Sequence, residues 1–188
     1  LDIQAIFDLV GDKVRETFNA QAVGILTLDR DNIASFPYII ENGVRQYEPP
    51  SPLGDKGFSA YVVRTRKPLI INEQMPARAI EVGSTIVGGG KAAQSGIWVP
   101  LIVGDEARGV ISIQNVDREH AFSDTDFRLL ITLAGSLSVA FENARLFDQT
   151  QRLLKETEQR AAELSVINRI QEGMAAALDF QAIVDLVG

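Results

Sequence analysis

The run with the most obvious chemical promise is Thr85-Ile86-Val87-Gly88-Gly89-Gly90-Lys91-Ala92, a glycine stretch that ends in a lysine. A phosphate-cradling loop needs Gly, four residues, then Gly-Lys and a Ser or Thr. Its amides then wrap phosphate and its hydroxyl meets magnesium. Here Thr85 stands at the first Gly position and Ala92 at the hydroxyl position, so the run reads as a pliable lid or surface segment instead. Among other reactive types, the chain has no Cys and one His, His120. Zero Cys removes disulfides, Cys-ligated zinc, iron–sulfur clusters and thioether-linked cofactors. One imidazole removes His-rich metal centres. No Ser–His–Asp set and no paired carboxylates with a second catalytic group can be assembled, so no catalytic and no metal-binding residue is assigned and the chain reads as a non-enzyme.

Composition narrows the rest. The 188 residues are 46% hydrophobic and 23% charged, as a globular chain is. With 25 acidic against 18 basic residues the net charge is −7, which opposes binding to duplex nucleic acid. No apolar run approaches the roughly 20 residues of a membrane span. The expectation is a soluble, cytoplasmic chain with no nucleic-acid and no membrane partner.

An internal repeat frames the domain organisation. Residues 1–11 read LDIQAIFDLVG and residues 178–188 read LDFQAIVDLVG, identical at nine of eleven positions, polar Gln4/Gln181 and Asp8/Asp185 included. A period of about 177 residues is that of whole tandem domains rather than a solenoid. The expected division is a domain over 1–147, a helical connector over 148–177, and the start of a second copy at 178–188.

The elements follow from periodicity. Ile3, Ile6, Phe7, Val10, Val14 and Phe18 form one helical stripe. Residues 22–28 and 33–41 read as a hairpin turning at 29–32, residues 48–56 as a Pro-rich loop, 58–65 as a short helix and 69–72 as a strand. Residues 73–94 read as irregular or weakly helical. A second hairpin pairs 96–103 with 110–115 around a turn at 104–109. Ser123 with Asp126 then opens a helix as a capping box.

That helix carries two apolar faces. Phe127, Leu130, Ile131, Ala134, Leu137 and Phe141 suit packing on a sheet. Leu129, Leu133, Ser136, Ala140, Asn143 and Phe147 follow a second stripe in alternating steps of four and three. No Pro follows Pro100, so the helix is expected to run to about Ala177, roughly 80 Å at 1.5 Å per residue. Thr150, Leu153, Thr157, Arg160, Leu164, Ile167, Gln171 and Met174 continue a heptad seam with a polar centre.

Three segments resemble a GAF domain, a small-molecule sensor related in shape to PAS domains. Residues 95–115, SGIWVPLIVGDEARGVISIQN, are similar to its central hairpin. Residues 115–130, NVDREHAFSDTDFRLL, are similar to its closing motif, and residues 57–72, GFSAYVVRTRKPLIIN, to the helix and strand beneath its pocket. The resemblance implies an α/β (α+β) fold with an antiparallel sheet flanked by helices and a long C-terminal signalling helix. It also implies a pocket near Phe36, Tyr38, Phe58, Tyr61 and Trp98, with polar contacts from Arg78, Ser84, Thr85 and Lys91. In the closing motif Asn115, Phe122 and Asp126 match, but Val116 replaces the Lys and Phe127 the Glu of the cyclic-nucleotide branch. Bilin attachment and methionine-sulfoxide reduction in the family both need a Cys. Haem would have only His120, which falls in the 116–121 turn. The cofactor therefore stays unknown.

The expected function is a regulatory sensor. A small molecule orders the 73–94 segment, and a homodimeric exit helix passes the change to a downstream copy and an output unit such as a histidine kinase, a nucleotide cyclase or a cyclic-dinucleotide enzyme. The alternative is a ligand-free dimerisation and spacer module. The homodimer would pair through Leu129, Leu133, Ala140, Phe147, Leu153, Leu164 and Ile167. Sedimentation tests this seam: the chain should be dimeric at micromolar concentration, and Leu164→Asp with Ile167→Asp should return it to monomer. A monomeric parent chain would refute the seam.

Overall fold

The computed structural model describes residues 3–84 and 92–187, with side-chain surroundings as far as residue 174. In chain order, helix α1 (Ile3–Phe18) is followed by strands β1 (Ala22–Leu28), β2 (Ile33–Glu41), β3 (Val44–Arg45) and β4 (Ser51–Pro52). Helix α2 (Phe58–Thr65), strand β5 (Leu69–Ile71) and helix α3 (Met75–Glu81) come next. Strands β6 (Ser95–Val103) and β7 (Glu106–Asn115) lead into helix α4 (Asp124–Val187). Contacts divide the chain into two units, Leu1–Ala144 and Arg145–Gly188.

Seven strands form one sheet in the order β3-β2-β1-β7-β6-β5, with β4 also paired to β2. All these pairings are antiparallel. The long hairpins meet at the centre, where Ile25 of β1 lies opposite Ile111 of β7. Seven successive residues of β6, Ser95 to Leu101, are buried, which explains why its apolar run does not alternate. One sheet face packs Val23, Ile25, Tyr38, Ile97, Val99, Ile111 and Ile113 against α1 and the first turns of α4. The other packs Leu26, Trp98 and Val110 against Phe58, Val62 and Met75.

Local signals set the joints. Asp29 Oδ1 accepts the backbone N–H groups of Asp31 and Ile33, each at 2.9 Å, and closes the β1–β2 turn. At α4 the Ser123 N–H donates to Asp126 Oδ2 at 2.8 Å and the Asp126 N–H to Ser123 Oγ at 3.2 Å, the reciprocal capping box. The β6–β7 turn is tighter than 104–109. Val103 pairs with Glu106 across Gly104-Asp105, and Gly104 supplies a φ of +61° that a two-residue hairpin loop favours. The register shift beside Leu101 absorbs the extra residue on β7. Within 73–94, Met75–Glu81 is a regular helix begun by Pro76.

The helical faces differ from expectation at two places. Ile131, expected in the core, is 37% exposed, while Leu133, expected on the partner face, packs against the domain's own core. The core arc is thus rotated toward Leu133, and Leu130, Ala134 and Leu137 hold its centre. Every residue from 146 to 174 is exposed in the single chain. By length and composition one stretch within Asp124–Met174 is apolar enough to cross a membrane, unlike the expectation. A core face and a second apolar stripe on one helix produce that composition, and 33% of the stretch is buried within the protein.

Tyr38 locks α1 to the sheet. A Cβ on Gly11 would come within 2.4–2.5 Å of the Tyr38 ring, so glycine is what lets the helix lie on it. The Tyr38 hydroxyl donates to Asp12 Oδ1 at 2.7 Å, and the Arg45 guanidinium sits 4.3 Å from the ring centroid. Burial first, and then the Asp12 carboxylate, push the phenol well above the ordinary tyrosine range. The folded protein therefore keeps this proton where an unfolded chain releases it. Its contribution is whole below about pH 10 and is lost as the pH rises beyond that. Urea unfolding at pH 9 and pH 11 should show a smaller alkaline loss in Tyr38→Phe than in the parent; equal losses would contradict the assignment.

Candidate functional site

The face toward α2 and α3 is floored by small side chains. Register places Gly24 opposite Ser112 and Ser112 opposite Trp98, with Ala22 opposite Gln114 and Gln114 opposite Gly96 in the next row. Ala22, Gly24, Gly96 and Ser112 leave space that packing otherwise fills. The result is a cavity of about 160 Å³, roofed by Phe58 and Ser59 of α2 and by Met75, Pro76 and Ala79 of α3. Gly96 also seats the indole of Trp98. A Cβ there would stand 2.6 Å from Trp98 Cη2 and 3.2 Å from Gln114 Cγ. The Phe58 and Trp98 rings meet at 4.6 Å between centroids, tilted by 38°.

Phe36, Ser84 and Val116 are among the further lining residues, and hydroxyls or amides come from Ser59, Ser84, Ser112 and Gln114. Ser112 makes only a 3.5 Å contact to the Gly24 carbonyl. Glu41 is the one ionisable residue among the described lining. Val116, at the position where the cyclic-nucleotide branch has Lys, is buried and apolar.

Of the expected site residues, Phe36, Phe58, Ser84 and Trp98 line this cavity. Tyr38 does not; it lies in the core of the opposite face. Simple alternation puts Phe36 and Tyr38 on one face. Between them, however, β2 has one more residue than β1, since Ile25 pairs with Tyr38 and Thr27 with Ser35, and the bulge reverses the alternation. Tyr61 and Arg78 line a separate open groove with Glu73, Gln74, Glu81 and His120, where Arg78 pairs with Glu81 at 3.0 Å. Thr85 and Lys91 lie outside the described residues.

Sequence reasoning missed Glu41, Ser59, Met75, Ser112 and Gln114. The available signal was the small-residue pattern on β1, β6 and β7, which becomes a floor only once the strands are in register. The closing motif has a structural role. Asn115 Oδ1 accepts the N–H groups of Asp117 at 3.1 Å and Arg118 at 3.0 Å, and Ser95 Oγ donates to the Arg118 carbonyl at 3.0 Å. His120 is exposed in that turn, with Nε2 3.7 Å from Glu73 Oε2. The floor can be tested directly. Gly96→Ala should displace the indole of Trp98, the only Trp, shift its fluorescence, and cost about 1–3 kcal/mol by overpacking. Unchanged emission and stability would mean that the indole does not rest there.

A family model described as GAF domain matches residues 1–142. Among solved structures, a methyl-accepting chemotaxis protein (residues 122 to 287) is similar at 21% identity, covering 77% of this chain and 90% of that one, with a TM-score of 0.63. The GAF-B domain of DevS from Mycobacterium smegmatis is similar at 15% identity over 79% and 99%, with a TM-score of 0.62. Free methionine-R-sulfoxide reductase from Neisseria meningitidis, solved with its substrate, is similar at 20% identity over 77% and 81%, TM-score 0.60. No curated protein matches the chain. At these identities the structural likeness is one of fold, and the family model supplies the membership: the chain belongs to the GAF domain family.

Proposed function

We propose that this GAF domain is the regulatory sensing unit of a cytoplasmic signal-transduction protein, and not itself an enzyme. In this reading a small molecule enters the cavity between the sheet and α2/α3. Differential contacts with its bound and free forms bias the pairing of two α4 helices in a homodimer, and α4 carries that bias to a second, tandem copy and an output domain. The cavity is the observation that carries the reading, because it combines aromatic walls with hydroxyl and amide groups in a concave site, as small-molecule sites do. Three further observations support it. The helix whose residues Leu130, Ala134 and Leu137 are buried in the domain core continues unbroken to Val187. The repeat of residues 1–11 at 178–188 fits a second copy. One structural neighbour is a chemotaxis protein.

The chain brings no Cys, and its one His is exposed away from the cavity, so a thiol- or imidazole-based reaction there has no group to perform it. Thermal shift against a metabolite panel tests the sensor. A ligand at 100 times its Kd adds about 2.7 kcal/mol, and Tm should rise by roughly 5–10 °C for a domain of this size. If no panel member raises Tm, the ligand-free spacer replaces the sensor.

A further inference from the structure

The lining of the cavity restricts what it can hold. About 160 Å³ is close to an apolar protein cavity of about 150 Å³ that takes benzene, so the space fits one ring and not a nucleotide. Phe36, Phe58 and Trp98 present ring surfaces, which favour a flat occupant. Among the described lining there is no Lys or Arg to receive a phosphate or carboxylate.

The polar groups of the floor add direction. Trp98 is 4% exposed, yet among the described residues nothing accepts from its indole N–H. The Gln114 carboxamide, which offers both a donor and an acceptor, has no side-chain partner among them either. Ser112, opposite Trp98 and only 9% exposed, has little beyond its long contact to Gly24. An occupant with a matching edge supplies hydrogen bonds that these groups do not make within the described protein.

We infer that the cavity takes an uncharged planar single ring carrying a C=O beside an N–H, as in a lactam or a pyrimidine base. This rests on the sensor reading and specifies its ligand class. The C=O accepts from the Trp98 indole, the N–H and C=O edge meets the Gln114 carboxamide, and the ring face lies against Phe36 and Phe58.

Calorimetric titration of the whole chain with uracil, benzoate and cyclic AMP tests the class. Uracil should bind saturably and benzoate at least about tenfold more weakly. Trp98→Phe should weaken uracil by about 2- to 13-fold, the equivalent of one neutral hydrogen bond, and Gln114→Ala, which removes two, by about 5- to 160-fold. If Trp98→Phe does not fold, Gln114→Ala alone decides, since its side chain is only half-buried. Benzoate or cyclic AMP binding as tightly as uracil would overturn the ligand class and leave the sensor standing. Uracil affinity unchanged in Gln114→Ala would overturn it too. If neither these probes nor any panel member binds, both readings fall.

Discussion

A single sheet with apolar residues on both faces must be covered twice, and the two covers here are unequal. α1 spans 16 residues and α4 is longer still, so together they seal one face with Phe7, Val14, Leu130, Ala134 and Leu137. The other face receives α2, of 8 residues, and α3, of 7, against strands as long as 10. What these short helices leave uncovered is the cavity. The small residues beneath it, Ala22, Gly24, Gly96 and Ser112, keep the strands from filling it.

The same asymmetry separates two tasks. The sealed face is fixed by close contacts: Gly11 under the Tyr38 ring, the Tyr38–Asp12 hydrogen bond and the Phe7–Phe141 ring pair at 5.7 Å. Such packing resists change. The open face holds Trp98, whose indole lies across Gly96 against Phe58 and beside the cavity. β6 and β7 have buried residues on both faces, so Trp98 on one side is flanked in sequence by Ile97 and Val99 in the core that receives α4.

The turn at 116–122 ties these layers together. Asn115 shapes it through two backbone N–H groups, Ser95 holds its Arg118 carbonyl, and Asn72 Nδ2 donates to the Phe122 carbonyl at 2.7 Å. The residues that carry the family resemblance here thus hold a joint between the sheet and α4. The part played by Asn115 could be read directly because it bonds to groups two and three residues away, as does the Ser123–Asp126 box, whereas the bonds of Ser95 and Asn72 reach across 23 and 50 residues.

Local rules were sufficient wherever the partners are close in sequence. The stripe of α1, the two long hairpins, α2, the cap of α4 and the exclusion of thiol and His-cluster chemistry all follow from residue type and spacing. Tertiary structure alone decided the rest. A bulge on β2 sent Tyr38 into the core while Phe36 stayed at the cavity, although both sit two residues apart on one strand. Leu133 turned inward because the contact arc of α4 depends on where the sheet meets it. Ser112 and Gln114 became cavity residues only when β7 was set between β1 and β6. Periodicity gives a face, but register and neighbours decide what that face meets.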